Sequence, residues 1–321
     1  MISLVVPVHN EEPVLSLLLD RIRSASQAWG EDHELVFVDD GSTDRSLAIL
    51  MDAAERDSRI RVIKLSRNFG HQAAITAGIQ LATGDAVVTL DADLQDPPEE
   101  IPRLLEKWRE GYQVVYGIRT GREESLPKRA AYAMFYRALH SISDVEIPLD
   151  SGDFCLLDRK VVDALNVLPE RVRFVRGLRA YVGFKQTGVA YKRAARAAGT
   201  PSYTFRGLIE LAIDGLFGFS MVPLRLASYL GFVIAIPSFL AGLYFIIHRL
   251  FNFPVFGHRA TETPGLAALA VGLFFLGGLI LIILGIIGEY LGRIYIEVKH
   301  RPPYIVDFVH SAGNRPDSAT R

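Results

Sequence analysis

From the amino terminus, the chain alternates short apolar runs with longer stretches of mixed polarity. The runs ISLVVPV from Ile2, ELVFVDD from Glu34, RVIKLS from Arg61 and AVVTLDAD from Ala86 are strand-sized and rich in β-branched residues. Between and after them, the stretches near 12–28, 43–57, 70–82 and 97–110 read as helices. This βαβαβαβ rhythm predicts an α/β domain, a mostly parallel sheet with helices on both faces. A helix start is written at Asp96, a capping side chain, with Pro97 at the first helical position and Glu99 three residues after the cap. Ligands of such sheets bind at the carboxyl ends of the strands. Each of the four runs turns polar at that edge, into PVHNEE, DDGSTD, SRNFGHQ and DADLQD.

The second half has a different pattern. Leu226 to Ile247 and Thr263 to Gly288 carry no charged residue, and each reaches the ~20 residues needed to cross a hydrocarbon core. Only HRLFNFPVFGHRATE joins them, so two transmembrane helices are expected rather than two core helices, with a kink at Pro237. Two spans return the chain to its starting side. The basic tail (Arg293, Lys299, Arg301) and the Lys- and Arg-rich first domain place that side in the cytosol, although Arg249 and Arg259 lie in the connecting loop. The division expected is a cytosolic domain over 1–200, a juxtamembrane interface helix over 201–222, the two transmembrane helices within 223–289 and a cytosolic tail over 290–321. Ala131 to Ile142 has a similar amphipathic pattern, and an ordinary core helix satisfies it in both places.

Composition narrows the partners. At 321 residues with a formal net charge of -1, the chain has no basic excess to displace counterions, so nucleic acid is excluded as its main partner. The single cysteine, Cys155, rules out an internal disulfide and a Cys-based zinc site, and suits a reducing compartment. MISLVVPVHNEE lacks a basic start and reads as a strand rather than a signal peptide.

The chemistry begins at Asp91 and Asp93. Side chains at i and i+2 of an extended backbone point the same way, and these two repel unless a cation sits between them. Mg²⁺ or Mn²⁺ held there can bridge a diphosphate. Neither a G-x-G-x-x-G after the first run nor a P-loop is present, so phosphate is held in another way and a nucleoside-diphosphate compound is the expected ligand. Asp39 and Asp40 suit hydrogen bonds from a ribose or base, Gly41 the tight turn, and Ser42 or Thr43 a helix cap; DDGSTD reads equally as a plain helix-start turn.

PVHNEE, VDDGSTD, SRNFGHQAAITAGI, LDADLQDPPEEIP, SGDFCLLDR and GEYLGRIYIEVKHRPPYIV, in this order from Ile2 to about Val306, closely resemble the family-2 glycosyltransferases that load a sugar onto a polyprenyl phosphate. Among these are the bactoprenol glucosyltransferases and dolichyl-phosphate mannosyltransferases. The resemblance implies a GT-A domain, a nucleotide-diphosphate sugar donor, a divalent metal and inversion at the anomeric carbon. It gives Pro7, Val8, Asn10, Glu11, Asp39, Asp40 and Ser42 to the nucleotide, and Asp91, Asp93 and Gln95 to the metal and diphosphate. It gives Asp153 to the acceptor phosphate and Arg119, Arg122 and Arg129 to phosphate handling, with Asp93, Asp153 and Arg129 as the catalytic set. One departure stands out: where relatives carry Gly-x-Ser-Lys-Tyr, this chain has GTPSY from Gly199, so the usual Lys is replaced by Ser202, and Arg193 or Arg196 is left to substitute. The resemblance points to UDP-glucose and undecaprenyl phosphate, with GDP-mannose, UDP-N-acetylhexosamine and aminoarabinose donors as alternatives. A processive polysaccharide synthase is disfavoured, since neither Trp29 nor Trp108 lies in a Q-x-x-R-W motif, and a non-enzymatic sensor would leave the acids unused. Gly288 and Gly292, one turn apart in GEYLG, suit close helix approach and a homo-oligomer.

Overall fold

The computed structural model describes residues 1–120, 151–171, 173–192, 222–251, 266–311 and 314–318. They fall into two compact units, Met1–Glu210 with His300–Arg321, and Leu211–Lys299.

In the first unit, β1 (Ile2–Val8), β2 (His33–Asp39), β3 (Ile60–Leu65) and β4 (Ala86–Thr89) alternate with α1 (Glu12–Ser26), α2 (Ser46–Arg56), α3 (His71–Leu81) and α4 (Ile101–Arg109). β5 (Val114–Thr120), β6 (Ser151–Asp158), α5 (Arg159–Val167), α6 (Val175–Tyr181) and β7 (Gln186–Lys192) follow, while β8 (Val306–Ser311) and β9 (Asn314–Ser318) come from the far end of the chain. The strands lie in the order β7-β5-β6-β4-β1-β2-β3-β8-β9. All seven residues of β1 are buried, as befits an uninterrupted apolar strand covered on both faces. It pairs in parallel with β2 on one side and β4 on the other. Strand order therefore reverses at β1, which opens a crevice between the carboxyl ends of β1 and β4.

The flanks depart from a parallel sheet: β6 runs antiparallel to β4 and β5, and β8 antiparallel to β3. The stretch expected as a cytosolic tail supplies β8. Ser66 N–H donates to the Ile305 carbonyl at 2.9 Å, and Lys64 pairs with Asp307 at 2.6 Å. Without β8 the backbone groups of β3 would form an open edge. Asp96 does not cap a helix. Pro97 is extended, a 3-10 turn follows at Pro98–Glu100, and α4 begins only at Ile101 with no capping side chain.

The second unit holds α7 (Val222–Phe251) and α8 (Leu266–Val298). Pro237 lies inside α7. α8 passes the end of the uncharged run at Gly288 because Glu289 and Arg293, one turn apart, pair at 3.0 Å and keep their charges on the helix surface. Among the described residues, one window, Phe275–Val298, is long and apolar enough to cross a membrane, with a mean hydropathy of 2.1. A Cβ built on Gly288 or Gly292 meets no atom within 4 Å. The stretches 131–142 and 201–221 lie outside the described residues.

Candidate active site

A cavity of about 290 Å³ opens at the crevice, with Pro7, Val8 and Glu11 from the end of β1 on one wall and Asp91 and Asp93 from the end of β4 on the other. Asp40 lines it as well, but spends its carboxylate on the β3–α3 loop, accepting from Phe69 N–H at 2.7 Å and Gly70 N–H at 2.9 Å. Gly41 has φ +66°, and a Cβ there would lie 2.6 Å from the Arg67 carbonyl carbon, so only glycine lets the β2–α2 turn lie against that loop. Asp39, also expected at the nucleotide, is wholly buried and does not line the cavity. Its Oδ2 accepts from Ser42 N–H at 3.4 Å while its Oδ1 has no partner among the described residues. Burial pushes its carboxyl above the usual range, with the Ser42 hydrogen bonds pulling the other way.

Asn10 and Ser42, expected around a nucleotide, instead clasp the two loops together. Asn10 has φ 57°, its Oδ1 accepts from Thr43 N–H at 2.8 Å, and its own N–H donates to Ser42 Oγ at 3.1 Å. Neither lines the cavity.

Asp91 and Asp93 do share the cavity wall, although β4 ends at Thr89 and Asp93 lies in the turn that follows, so that turn and not strand alternation places them there. Leu94, with φ 60°, turns the chain after them, and Gln95 N–H donates to Asp93 Oδ1 at 3.1 Å. The Gln95 side chain is not on the cavity wall. Burial pushes the Asp91 carboxyl up to about 6; His71 pulls against it, and the acids Asp153, Asp96 and Asp93 add to it. Among the described residues no group of three or more His, Cys, Asp or Glu forms a metal cage. Two carboxylates on an open wall nonetheless fit Mg²⁺ or Mn²⁺, which are commonly bound by one or two carboxylates together with substrate phosphates.

Asp153, from β6, is held from several sides. Arg176 grips it with Nε on Oδ1 at 2.7 Å and Nη2 on Oδ2 at 2.8 Å, and Gln72 Nε2 donates to Oδ2 at 3.4 Å. His71 Nε2 lies 3.4 Å from Asp153 and 3.5 Å from Asp91, between the two acids. Burial alone would raise the Asp153 carboxyl, but the Arg176 guanidinium and His71 hold it well below the usual carboxylate range. In turn, His71 is raised: Asp153 and Asp91 outweigh the effect of its burial. Arg119 reaches the same wall from β5. Arg122 and Arg129 lie outside the described residues.

No motif in the sequence marks Arg176 or Tyr191, and His71 and Gln72 are marked only as part of the polar end SRNFGHQ. Their signal is spatial. Arg176 sits in RFVRGLR, a stretch with no motif of its own, and it meets Asp153 only because α6 packs on β6.

A crevice at the reversal of strand order, walled by paired acids and free of a glycine-rich phosphate loop, is an arrangement for a metal-assisted nucleotide substrate. Residues 3–165 match Glycosyl transferase family 2. The chain belongs to that family. This family-2 glycosyltransferase is 46% identical over 314 residues to an uncharacterized glycosyltransferase, YkcC, of Bacillus subtilis, covering 98% of this chain and 95% of the relative. It is 41% identical over 310 residues to an SfII prophage-derived bactoprenol glucosyl transferase of Shigella flexneri, covering 96% of this chain and 98% of the relative. A solved structure of glucosyl-3-phosphoglycerate synthase from Mycobacterium tuberculosis aligns with a TM-score of 0.46 and 24% identity over 68% of this chain and 79% of that one, a likeness too distant to transfer site detail.

Proposed function

We propose that this glycosyltransferase moves glucose from UDP-glucose to a polyprenyl phosphate at a membrane, inverting the anomeric carbon and releasing UDP. The reading is carried by the end-to-end likeness to the Shigella flexneri bactoprenol glucosyl transferase, which at 96% of this chain takes in the apolar helices as well as the catalytic unit. In it both α7 and α8 span the bilayer, the catalytic unit and both termini lie in the cytosol, and copies of the chain associate through the open glycine face of α8.

The residues divide the work. The family resemblance gives Asp39 to the nucleotide, and its Oδ1, without a partner among the described residues, is the acceptor available there. Asp91 and Asp93 hold Mg²⁺ or Mn²⁺, which when bound supplies charge neutralisation for the diphosphate. Arg119 adds a cation at the same wall. The acceptor is a phosphate monoester with a second pKa near 6, so it arrives ionised and requires no base. One of its oxygens forms the bond to the anomeric carbon as the bond to the diphosphate oxygen breaks and the electron pair leaves with UDP. Asp153, kept ionised by Arg176, orients Arg176 and His71 toward that phosphate rather than taking a proton.

The test is transfer from a panel of radiolabelled nucleotide sugars to a short polyprenyl phosphate. A single sugar on lipid, formed fastest from UDP-glucose, is the expected result. Polymer, or no lipid product with any donor, overturns the proposal, while preference for another donor overturns its choice of sugar.

A further inference from the structure

Asp96 leaves the same loop as Asp91 and Asp93 but turns inward and is wholly buried. Its two oxygens go to different partners. Oδ1 accepts from the Tyr191 hydroxyl, and Oδ2 accepts from Arg119 Nη2 at 3.2 Å. The triangle is closed by Arg119 Nε, which donates to the Tyr191 hydroxyl oxygen at 3.2 Å. Two donors on one edge of the guanidinium are thus tied to two different residues, which fixes the plane of the group as well as its position.

Two packing features support this arrangement. The Arg119 guanidinium lies against the backbone at Gly152, where a Cβ would come within 3.0 Å of Nη2 and 3.2 Å of Cζ. Any larger residue before Asp153 would push the arginine away. Tyr191 in turn is seated edge-on against Phe154, with ring centroids 5.4 Å apart at 73°.

A buried ion pair is a weak source of stability, because desolvating both charges offsets most of their attraction. An apolar pair of similar size would serve the core as well. It would not hold a cation at a fixed place on the cavity wall, and Arg119 is on that wall together with Asp91, Asp93 and Asp153.

We propose that Asp96 and Tyr191 are positioning residues that lock the Arg119 guanidinium at the cavity wall, in register with the phosphate charge that changes during transfer. The proposal rests on the reading of the cavity as a sugar-diphosphate site. Neither residue touches substrate. They act through Arg119, and a displacement of the guanidinium by about an ångström costs up to roughly a hundredfold in rate.

The test compares full-length Tyr191→Phe, Arg119→Lys and the double variant in detergent, with UDP-glucose and undecaprenyl phosphate as substrates. Tyr191→Phe keeps the ring against Phe154 and removes only the hydroxyl, so it remains informative if Asp96→Asn fails to fold. Its kcat is expected to fall roughly tenfold with the KM for UDP-glucose nearly unchanged. The double variant is expected to be no slower than Arg119→Lys alone, because a lysine cannot use the bonds that Tyr191 supplies. Losses that multiply in the double variant, or parent-like turnover by Tyr191→Phe beside an impaired Arg119→Lys, overturn the positioning pair and leave the sugar-diphosphate reading in place. Parent-like turnover by Arg119→Lys overturns both the pair and the role given to Arg119.

Discussion

Arg176 holds Asp153 by two parallel hydrogen bonds of 2.7 and 2.8 Å, the strongest geometry a guanidinium and a carboxylate can form. A carboxylate so held is a poor proton acceptor at neutral pH. Asp153→Asn is expected to lower kcat by roughly 10- to 100-fold through loosened Arg176 and His71, yet to leave the acid limb of the pH–rate profile where it was, near the second pKa of the acceptor phosphate at about 6. A limb that disappears in the variant would assign the proton to Asp153 after all.

The same pair predicts how stability responds to acid. The Asp153 carboxyl is lower in the folded chain than in the unfolded one, so its contribution is present above the unfolded carboxylate pKa of about 3.9 and is lost as pH falls below that toward the folded value. Thermal unfolding between pH 7 and pH 3 is expected to show a steeper loss for the parent than for Asp153→Asn. Parallel curves would mean that Asp153 adds nothing to the acid response.

Two carboxylates with no third ligand among the described residues make a weak metal site by themselves. Titration calorimetry is expected to show Mn²⁺ binding at least roughly tenfold more tightly with UDP present, and UDP by the same factor with Mn²⁺, as linkage requires. A chelator is expected to stop transfer and added Mg²⁺ or Mn²⁺ to restore it. Mn²⁺ affinity that ignores UDP, or transfer that survives Asp93→Asn, rules out the shared site.

Asp39 separates binding from stability. Burial penalises its charge and Oδ1 gains no hydrogen bond in return among the described residues, so Asp39→Asn is expected to leave the ligand-free melting temperature unchanged or higher. UDP affinity is expected to fall by about 1–3 kcal/mol, because the amide can present a donor where an acceptor is needed. Equal UDP affinity in parent and variant would place the base elsewhere.

The open glycines of α8 predict self-association. In mild detergent the parent is expected to run as an oligomer by light scattering, and Gly288→Leu or Gly292→Leu to shift it toward smaller species. A monomeric parent across several detergents is the contrary result.

Sequence alone settled what depends on near neighbours. Apolar runs such as ISLVVPV determined the β1–β4 core, since side-chain periodicity is a local property of the backbone. Asp91 and Asp93 share one wall as their i, i+2 spacing suggests, but the turn beyond β4 puts them there rather than the alternation of a strand. Asp96 does not cap the helix that its sequence context predicts, because capping and inward burial use the same short acid and only the presence of Tyr191 and Arg119 decides between them. Gln72 meets Asp153 across 81 positions and Lys64 meets Asp307 across 243, through a strand that returns to the sheet from the far end of the chain. No local pattern carries such pairings. They follow from which strand edges and helix faces lie next to one another, and that is decided when distant apolar surfaces are buried together in one sheet, bringing their polar ends to the same mouth.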